Sequence, residues 1–184
     1  TKEKAAVTYF DGTNSEIALK DLGDFISEAG NPSNSKDVDV VDIELPHLAE
    51  YPGLRLVDTP GMGSVYRYHK EVSENWLPEV GAAILAISAD RPLSEQDLQL
   101  IEELSRHTPR IIILLTKADL LTPVQQDEVV GFFLQTLKRT YNKEYPIFLY
   151  SIHTDTQALR DRIKTGILNE LSVNRDHEFK RILM

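Results

Sequence analysis

The apolar positions fall into short runs with strand-like spacing, separated by longer stretches with helical spacing. The opening KAAVTYFDGT predicts a strand that ends in an Asp11-Gly12 turn. In LKDLGDFISEAGNP, Leu22, Phe25, Ile26 and Ala29 recur at i, i+3, i+4 and i+7. That spacing predicts a short amphipathic helix, stopped by Gly30-Asn31-Pro32. VDVVDIELP alternates and predicts a half-buried strand, with LRLVD across HLAEYPG as its expected hairpin partner. YRYHKEVSENWLP is weakly helical up to Pro78, and Trp76 reads as a core or hinge anchor. GAAILAIS is continuously apolar, the pattern of a strand covered on both faces in a parallel sheet.

Three helix starts then carry capping chemistry. Ser94 precedes Asp97 by three residues, ahead of Leu98, Ile101 and Leu104. Thr122 and Gln125 form a second box, with Pro123 at the first helical position. Its helix sets Val130, Phe133, Leu134, Leu137 and Tyr141 on one face. Thr154 and Gln157 repeat the box before Leu159, Ile163, Ile167 and Leu171. The strands RIIILLT and PIFLYSI lie between these helices. From Gly81 onward the order is β-α-β-α-β-α, which predicts an α/β fold with a mostly parallel sheet and helices packed on it. One domain over residues 1–184 is the simplest division.

Composition narrows the class without changing it. Of 184 residues, 41% are hydrophobic and 27% charged, as in an ordinary globular domain. The net charge of −9 argues against a broad nucleic-acid-binding surface, so no nucleic-acid partner is expected. There is no cysteine, which removes disulfide and thiolate chemistry and suits a reducing cytosol. The apolar runs are far short of the ~20 residues that span a bilayer. His47, His69, His107, His153 and His177 are scattered without metal-ligand spacing and read as surface or loop residues. The acidic stretches EYP, SEQD and IEEL read as solvated faces.

Two stretches carry chemistry. In LRLVDTPGMGS an alternating run delivers Asp58 and then turns at Thr59-Pro60-Gly61. A carboxylate at the carboxyl end of a strand sits where open α/β sheets bind ligands, and it can hold magnesium directly or through water. Gly61 lets the backbone come close enough for its N–H to bond a γ-phosphate oxygen. By itself this tetrapeptide is equally well a proline turn after a strand.

The second stretch is Thr116-Lys117-Ala118-Asp119, at the end of RIIILL. An aspartate there can accept two parallel hydrogen bonds, from N1–H and the exocyclic amine of guanine. Adenine offers no such pair of donors, so the wrong base leaves groups unpaired. Lys117 can lay its aliphatic stem along the purine face. Each stretch follows an apolar strand, with one β-α unit between them, the arrangement of the G3 and G4 elements of GTPases. Ser151, in YSI after the next strand, is placed where a G5 loop closes on the base.

The runs IELPHLAEYPGLRLVDTPGMGS, WLPEVGAAILAISADRPLSEQDLQLIEEL and IIILLTKADLL resemble the GTP-binding domain of bacterial dynamin-like proteins, over about Val7 to Ser151. The early helix is similar to that family as well. The resemblance implies a large GTPase of the three-layer P-loop type, using GTP/GDP and Mg2+. Asp58 would serve magnesium, and Gly61 the γ-phosphate. Thr116, Lys117, Asp119 and Ser151 would hold guanine. It also implies a homodimer formed across the nucleotide face. The protein would be cytoplasmic, peripheral at the inner membrane through regions outside this chain, and would remodel or tether membranes.

Two departures qualify this. Thr116 stands where the G4 pattern has asparagine, which removes the amide that ties this loop to the phosphate loop. No G-x-x-x-x-G-K-[ST] is present: the only Lys-Ser/Thr pair, Lys164-Thr165, lies in a helical stretch. An assignable G2 threonine is also missing, with Thr1 and Thr8 candidates by default. In this fold the strand before the phosphate loop is central, so we expect that strand and loop to lie N-terminal to Thr1. Within the switch stretch Thr59 to Met62 no catalytic residue is assigned. Met62 cannot orient water as the glutamine of Ras-like enzymes does, which implies slow turnover alone and stimulation by a facing protomer. Two other readings stay open: a different DTPG-type GTPase acting in ribosome assembly, and a non-catalytic interaction module.

Overall fold

A computed structural model describes residues 4–58, 81–153 and 156–173. The chain forms two compact units, Thr1–Leu54 and Arg55–Met184. In the first, β1 (Lys4–Tyr9) lies between β2 (Asn14–Ile17) and β3 (Val38–Glu44), and both pairings are antiparallel. Ala5 and Val7 point to one face of β1 and are buried, as period-2 alternation requires. The β1–β2 turn forms as its Asp-Gly pair predicts. Gly12 takes φ +82°, and the Asp11 carboxylate accepts from the backbone N–H of Thr13 at 2.9 Å and from its hydroxyl at 2.7 Å.

Two expectations for this unit fail. β3 pairs with β1, with Val7 opposite Val41, and Leu54–Asp58 carry no strand. Alternation marks which residues share a face but does not name the partner strand, and the longer β1 wins. The amphipathic helix shrinks to a 3₁₀ turn at Leu19–Asp21 and a single turn, α1 (Gly23–Ile26), and Ile26 is exposed. Local polar groups capture the backbone here. The Ser27 hydroxyl donates to the Gly23 carbonyl at 2.6 Å and accepts from the Gly30 N–H at 3.1 Å. The chain folds back so tightly that a Cβ on Gly30 would stand 2.4 Å from the Gly23 oxygen. Buried Asn31 holds the return. Its amide donates to the Phe25 carbonyl at 2.8 Å, and its oxygen accepts from the Lys36 N–H at 2.9 Å.

The second unit is the predicted α/β part. It runs β4 (Ala83–Ser88), α2 (Glu95–His107), β5 (Ile111–Thr116), α3 (Pro123–Tyr141), β6 (Ile147–Leu149) and α4 (Thr156–Ile163). A π turn (Lys164–Leu168) and α5 (Asn169–Val173) follow. The strands lie in the order β4-β5-β6, all parallel. Both described capping boxes form, Ser94 with Asp97 and Thr122 with Gln125; Thr154 lies outside the described residues.

One sheet face, with Leu85, Ile87, Ile111, Ile113 and Leu115, packs on Ile101 of α2 and on Phe133 and Leu137 of α3. The other face meets the π turn, where Gly166 lies so close to the Phe148 ring that a Cβ would approach it to 2.5 Å. Helices therefore flank both faces. The continuous apolar run of β4 nevertheless does not mean full coverage: Leu85 and Ile87 are buried, whereas Ile84 and Ala86 are exposed. Among the described residues β4 pairs only with β5, so the opposite face at this edge has less to pack on. Leu134, expected in the core face of α3, is also largely exposed.

SEQD is a solvated face only in part: Glu95 and Gln96 are exposed, and Asp97 is not. Asp97 is buried and takes a two-armed ion pair from Arg91, at 2.6 and 2.8 Å. Thr108, which caps α2, is buried as well, and its hydroxyl has no hydrogen-bond partner among the described residues. Its backbone is extended, with φ −118° and ψ +124°, which suits a β-branched side chain. Thr108→Val should therefore stabilise the protein by about 1 kcal/mol, because it removes an unpaired buried hydroxyl while keeping the shape. A urea midpoint that rises at constant m value is expected; a fall would show that the hydroxyl has a partner.

Candidate functional site

The loops leaving β5 and β6 meet at the carboxyl end of the parallel sheet. The Tyr150 N–H donates to the Leu115 carbonyl at 2.8 Å, and the Ala118 N–H donates to the Tyr150 carbonyl at 3.0 Å. These bonds continue the β5–β6 ladder into both loops and fix their spacing. Between them is a cavity of 310 Å³, at the small end of the ~300–1,000 Å³ usual for ligand sites. Thr116, Lys117, Asp119 and Leu120 line it from the β5 side. Tyr150, Ser151, Ile152 and His153 line it from the β6 side. Four of the residues read as base-binding, Thr116, Lys117, Asp119 and Ser151, are thus brought together.

The geometry within the cavity is specific. Lys117 takes a left-handed conformation at φ +55°, which breaks the strand and starts the 3₁₀ turn of Ala118–Leu120. A non-glycine residue in that region carries a steric cost and is retained where the surroundings impose it. The Gln126 amide braces the turn from α3, donating to the Ala118 carbonyl at 2.9 Å and to that of Leu121 at 3.2 Å. The Lys117 ammonium lies 4.0 Å from Asp90, a carboxylate that also accepts the Ser88 hydroxyl.

Buried Ser151 donates its hydroxyl to Asp119 Oδ1 and accepts the His153 N–H at 3.0 Å. That hydroxyl holds the Asp119 carboxyl below its ordinary range; burial opposes the shift, while nearby His153 and Lys117 add to it. Asp119 is therefore ionised at neutral pH. It keeps lone pairs for further donors, since a carboxylate offers about four acceptor positions. A fixed anionic acceptor pair beside an aliphatic stem suits a flat ligand with two adjacent N–H donors.

Thr116 also ties the fold together. Its hydroxyl donates to the Ile87 carbonyl at 3.3 Å, tying the ends of β4 and β5 together. Thr8 is likewise engaged, donating to Asn14 at 2.6 Å between β1 and β2. Asp58 is exposed, lies outside regular secondary structure and does not line this cavity. Thr59, Pro60, Gly61 and Met62 lie outside the described residues, as do Thr1, His69, Trp76 and His177. His153 is an exposed loop residue, as expected, and it also lines the cavity. Its position two residues after Ser151 was the available signal.

The family pattern described as Dynamin_N, Dynamin family, matches residues 1–118, well over half of the chain. The chain belongs to the dynamin family. Among dynamin-family and other relatives, it is 30% identical over 135 residues to a Caldicellulosiruptor protein named for its place in the xynA 3' region. That match covers 73% of this chain and 34% of the relative. It is 29% identical over 126 residues to Dynamin-like protein 1 of Campylobacter jejuni, covering 66% of this chain and 17% of that one. The chain thus spans about a third or less of the length of these relatives. A solved structure described as an oligomerised bacterial dynamin pair, with a mechanism for long-range sensing and tethering of membranes, aligns over the whole chain. It does so at 14% identity and a TM-score of 0.49, covering 35% of that structure's chain.

The family match ends at Ala118, just before Asp119, so it covers the β5 side of the loop pair as far as Ala118. Among the described residues no helix is long and apolar enough to cross a membrane. No group of metal-type ligands occurs among them either. A lone exposed carboxylate such as Asp58 still fits magnesium, which keeps several waters and takes its other ligands from phosphates.

Proposed function

We propose that this chain supplies the guanine-reading part of a domain that hydrolyses GTP to GDP and phosphate. The Ser151–Asp119 hydrogen bond carries the reading, because it fixes an ionised carboxylate at the mouth of a cavity walled by Lys117. In that reading Asp119 accepts the two guanine donors, and the Lys117 stem covers the purine face. Asp58 would hold magnesium through water, the metal supplying charge neutralisation at the phosphates. Hydrolysis is assisted by a second copy meeting the first across the nucleotide face. Membrane remodelling or tethering, by a cytoplasmic protein peripheral to its membrane, is the cellular setting that family membership supports.

Calorimetric titration of GDP and ADP into the chain tests base selection directly. At least ~10-fold preference for GDP is expected, since the wrong base leaves the Asp119 acceptors unpaired. Equal affinity for the two would sink the guanine reading. Assistance by a second copy predicts that specific GTPase activity, in protein carrying a phosphate loop, rises with protein concentration; a flat profile would count against it.

A further inference from the structure

This inference rests on the guanine reading and concerns His153, a residue that no part of that reading uses. His153 is exposed, yet it lines the base cavity from the loop after β6, whereas Lys117 lines it from the loop after β5. Its backbone is anchored by the N–H bond to Ser151 Oγ at 3.0 Å, and the same oxygen donates to Asp119. The imidazole is therefore attached two residues beyond the carboxylate's own positioning group, and it contributes to the lowered pKa of Asp119. We propose that His153 is the second wall of the base site, its imidazole covering one purine face while the Lys117 stem covers the other.

The chemistry needs both walls. Asp119 grips only the edge of a base, and an edge contact alone leaves a flat ligand free to tilt. The lysine stem offers one apolar surface, and of the β6-side lining, Tyr150, Ser151, Ile152 and His153, the exposed residues are Ile152 and His153. An aromatic ring gains from stacking on any purine, so this wall adds affinity while Asp119 adds selectivity. The substitutions that test the idea leave the anchoring N–H in place, because only proline would remove it.

The experiment is a GDP and ADP titration of the chain and of His153→Ala and His153→Phe, followed by NMR, which reads millimolar binding. Urea midpoints verify that each variant folds. In the parent the His153 Hδ2 and Hε1 resonances, assigned by their loss in His153→Ala, should shift upfield as GDP stacks. His153→Ala should weaken GDP binding roughly 5–20-fold, and His153→Phe should recover most of it. Preference for GDP over ADP should survive in both. If the parent selects GDP but His153→Ala binds equally well, or His153→Phe is no better than alanine, the second wall is overturned and the guanine reading stands. If the parent shows no preference for GDP, both are overturned.

Discussion

Asp119→Asn should weaken GDP binding by about 100-fold or more and turn the preference toward xanthosine diphosphate. Guanine presents N1–H and an exocyclic amine, both donors, and the ionised carboxylate accepts both. An asparagine keeps one acceptor and faces the exocyclic amine with its own NH₂, so one hydrogen bond to a charged group is lost and two donors collide. Hydrogen bonds to charged groups are worth about 1.5–3 kcal/mol each, and an unpaired donor costs a similar amount, which together exceed two orders of magnitude. Xanthine carries an oxygen in place of that amine, so the asparagine NH₂ gains an acceptor while its oxygen still takes N1–H.

The Ser151 hydroxyl keeps the exchange interpretable. It donates to Asp119 Oδ1 in the parent and can donate to the asparagine oxygen in the variant, which orients the NH₂ outward. Competition of GDP and xanthosine diphosphate against a fluorescent guanine nucleotide would measure both effects. Unchanged GDP affinity would place the base elsewhere. Weakening with no gain for xanthosine diphosphate would mean that Asp119 acts on the loop and not on the base.

That site was legible in sequence because its parts are short and local. Lys117 and Asp119 end one strand, Ser151 ends the next, and β-α-β order puts parallel strand ends on one side of the sheet. The capping boxes at Ser94 and Thr122 were legible for the same reason, since they are read three residues apart. What was not legible depends on partners distant in sequence. Nothing in VDVVDIELP distinguishes β1 from LRLVD as its neighbour, and β1 pairs with it. Nothing in GAAILAIS says that Leu85 and Ile87 become buried while Ile84 and Ala86 stay exposed. In LGDFISEAG the helical spacing yields only a single turn, because the Asn31 amide takes the Phe25 carbonyl that a longer helix would have needed. The place of His153 in the cavity lining depends on two loops distant in sequence meeting.

Asp97 makes the same point and carries the largest expected effect on stability: Asp97→Ala should cost about 3 kcal/mol. Its residue is buried, and its carboxylate takes both arms of Arg91 together with the Ser94 hydroxyl at 2.6 Å and the Ser94 N–H at 2.8 Å. Truncation leaves the half-exposed Arg91 without its partner, removes one arm of the α2 capping box and opens the helix start. Burial is the largest single influence on Asp97 and alone would raise its pKa. The hydrogen bonds from Arg91 and Ser94, with the Arg91 charge, outweigh it and bring the value to about 2.

The sign of the pH dependence follows. A folded pKa below the unfolded value means that the native state favours the carboxylate, so the contribution is fully present above about pH 4 and fades as pH falls through about 2. The depression corresponds to roughly 2 kcal/mol. Asp97→Asn keeps the volume and cannot titrate, so the stability gap between parent and Asp97→Asn isolates this group from the other carboxylates. Urea denaturation should show that gap constant from pH 7 to pH 5 and reduced by roughly two-thirds of the titrating part at pH 2.5. A gap that does not narrow in acid would mean that Asp97 stabilises α2 by packing and not by its charge.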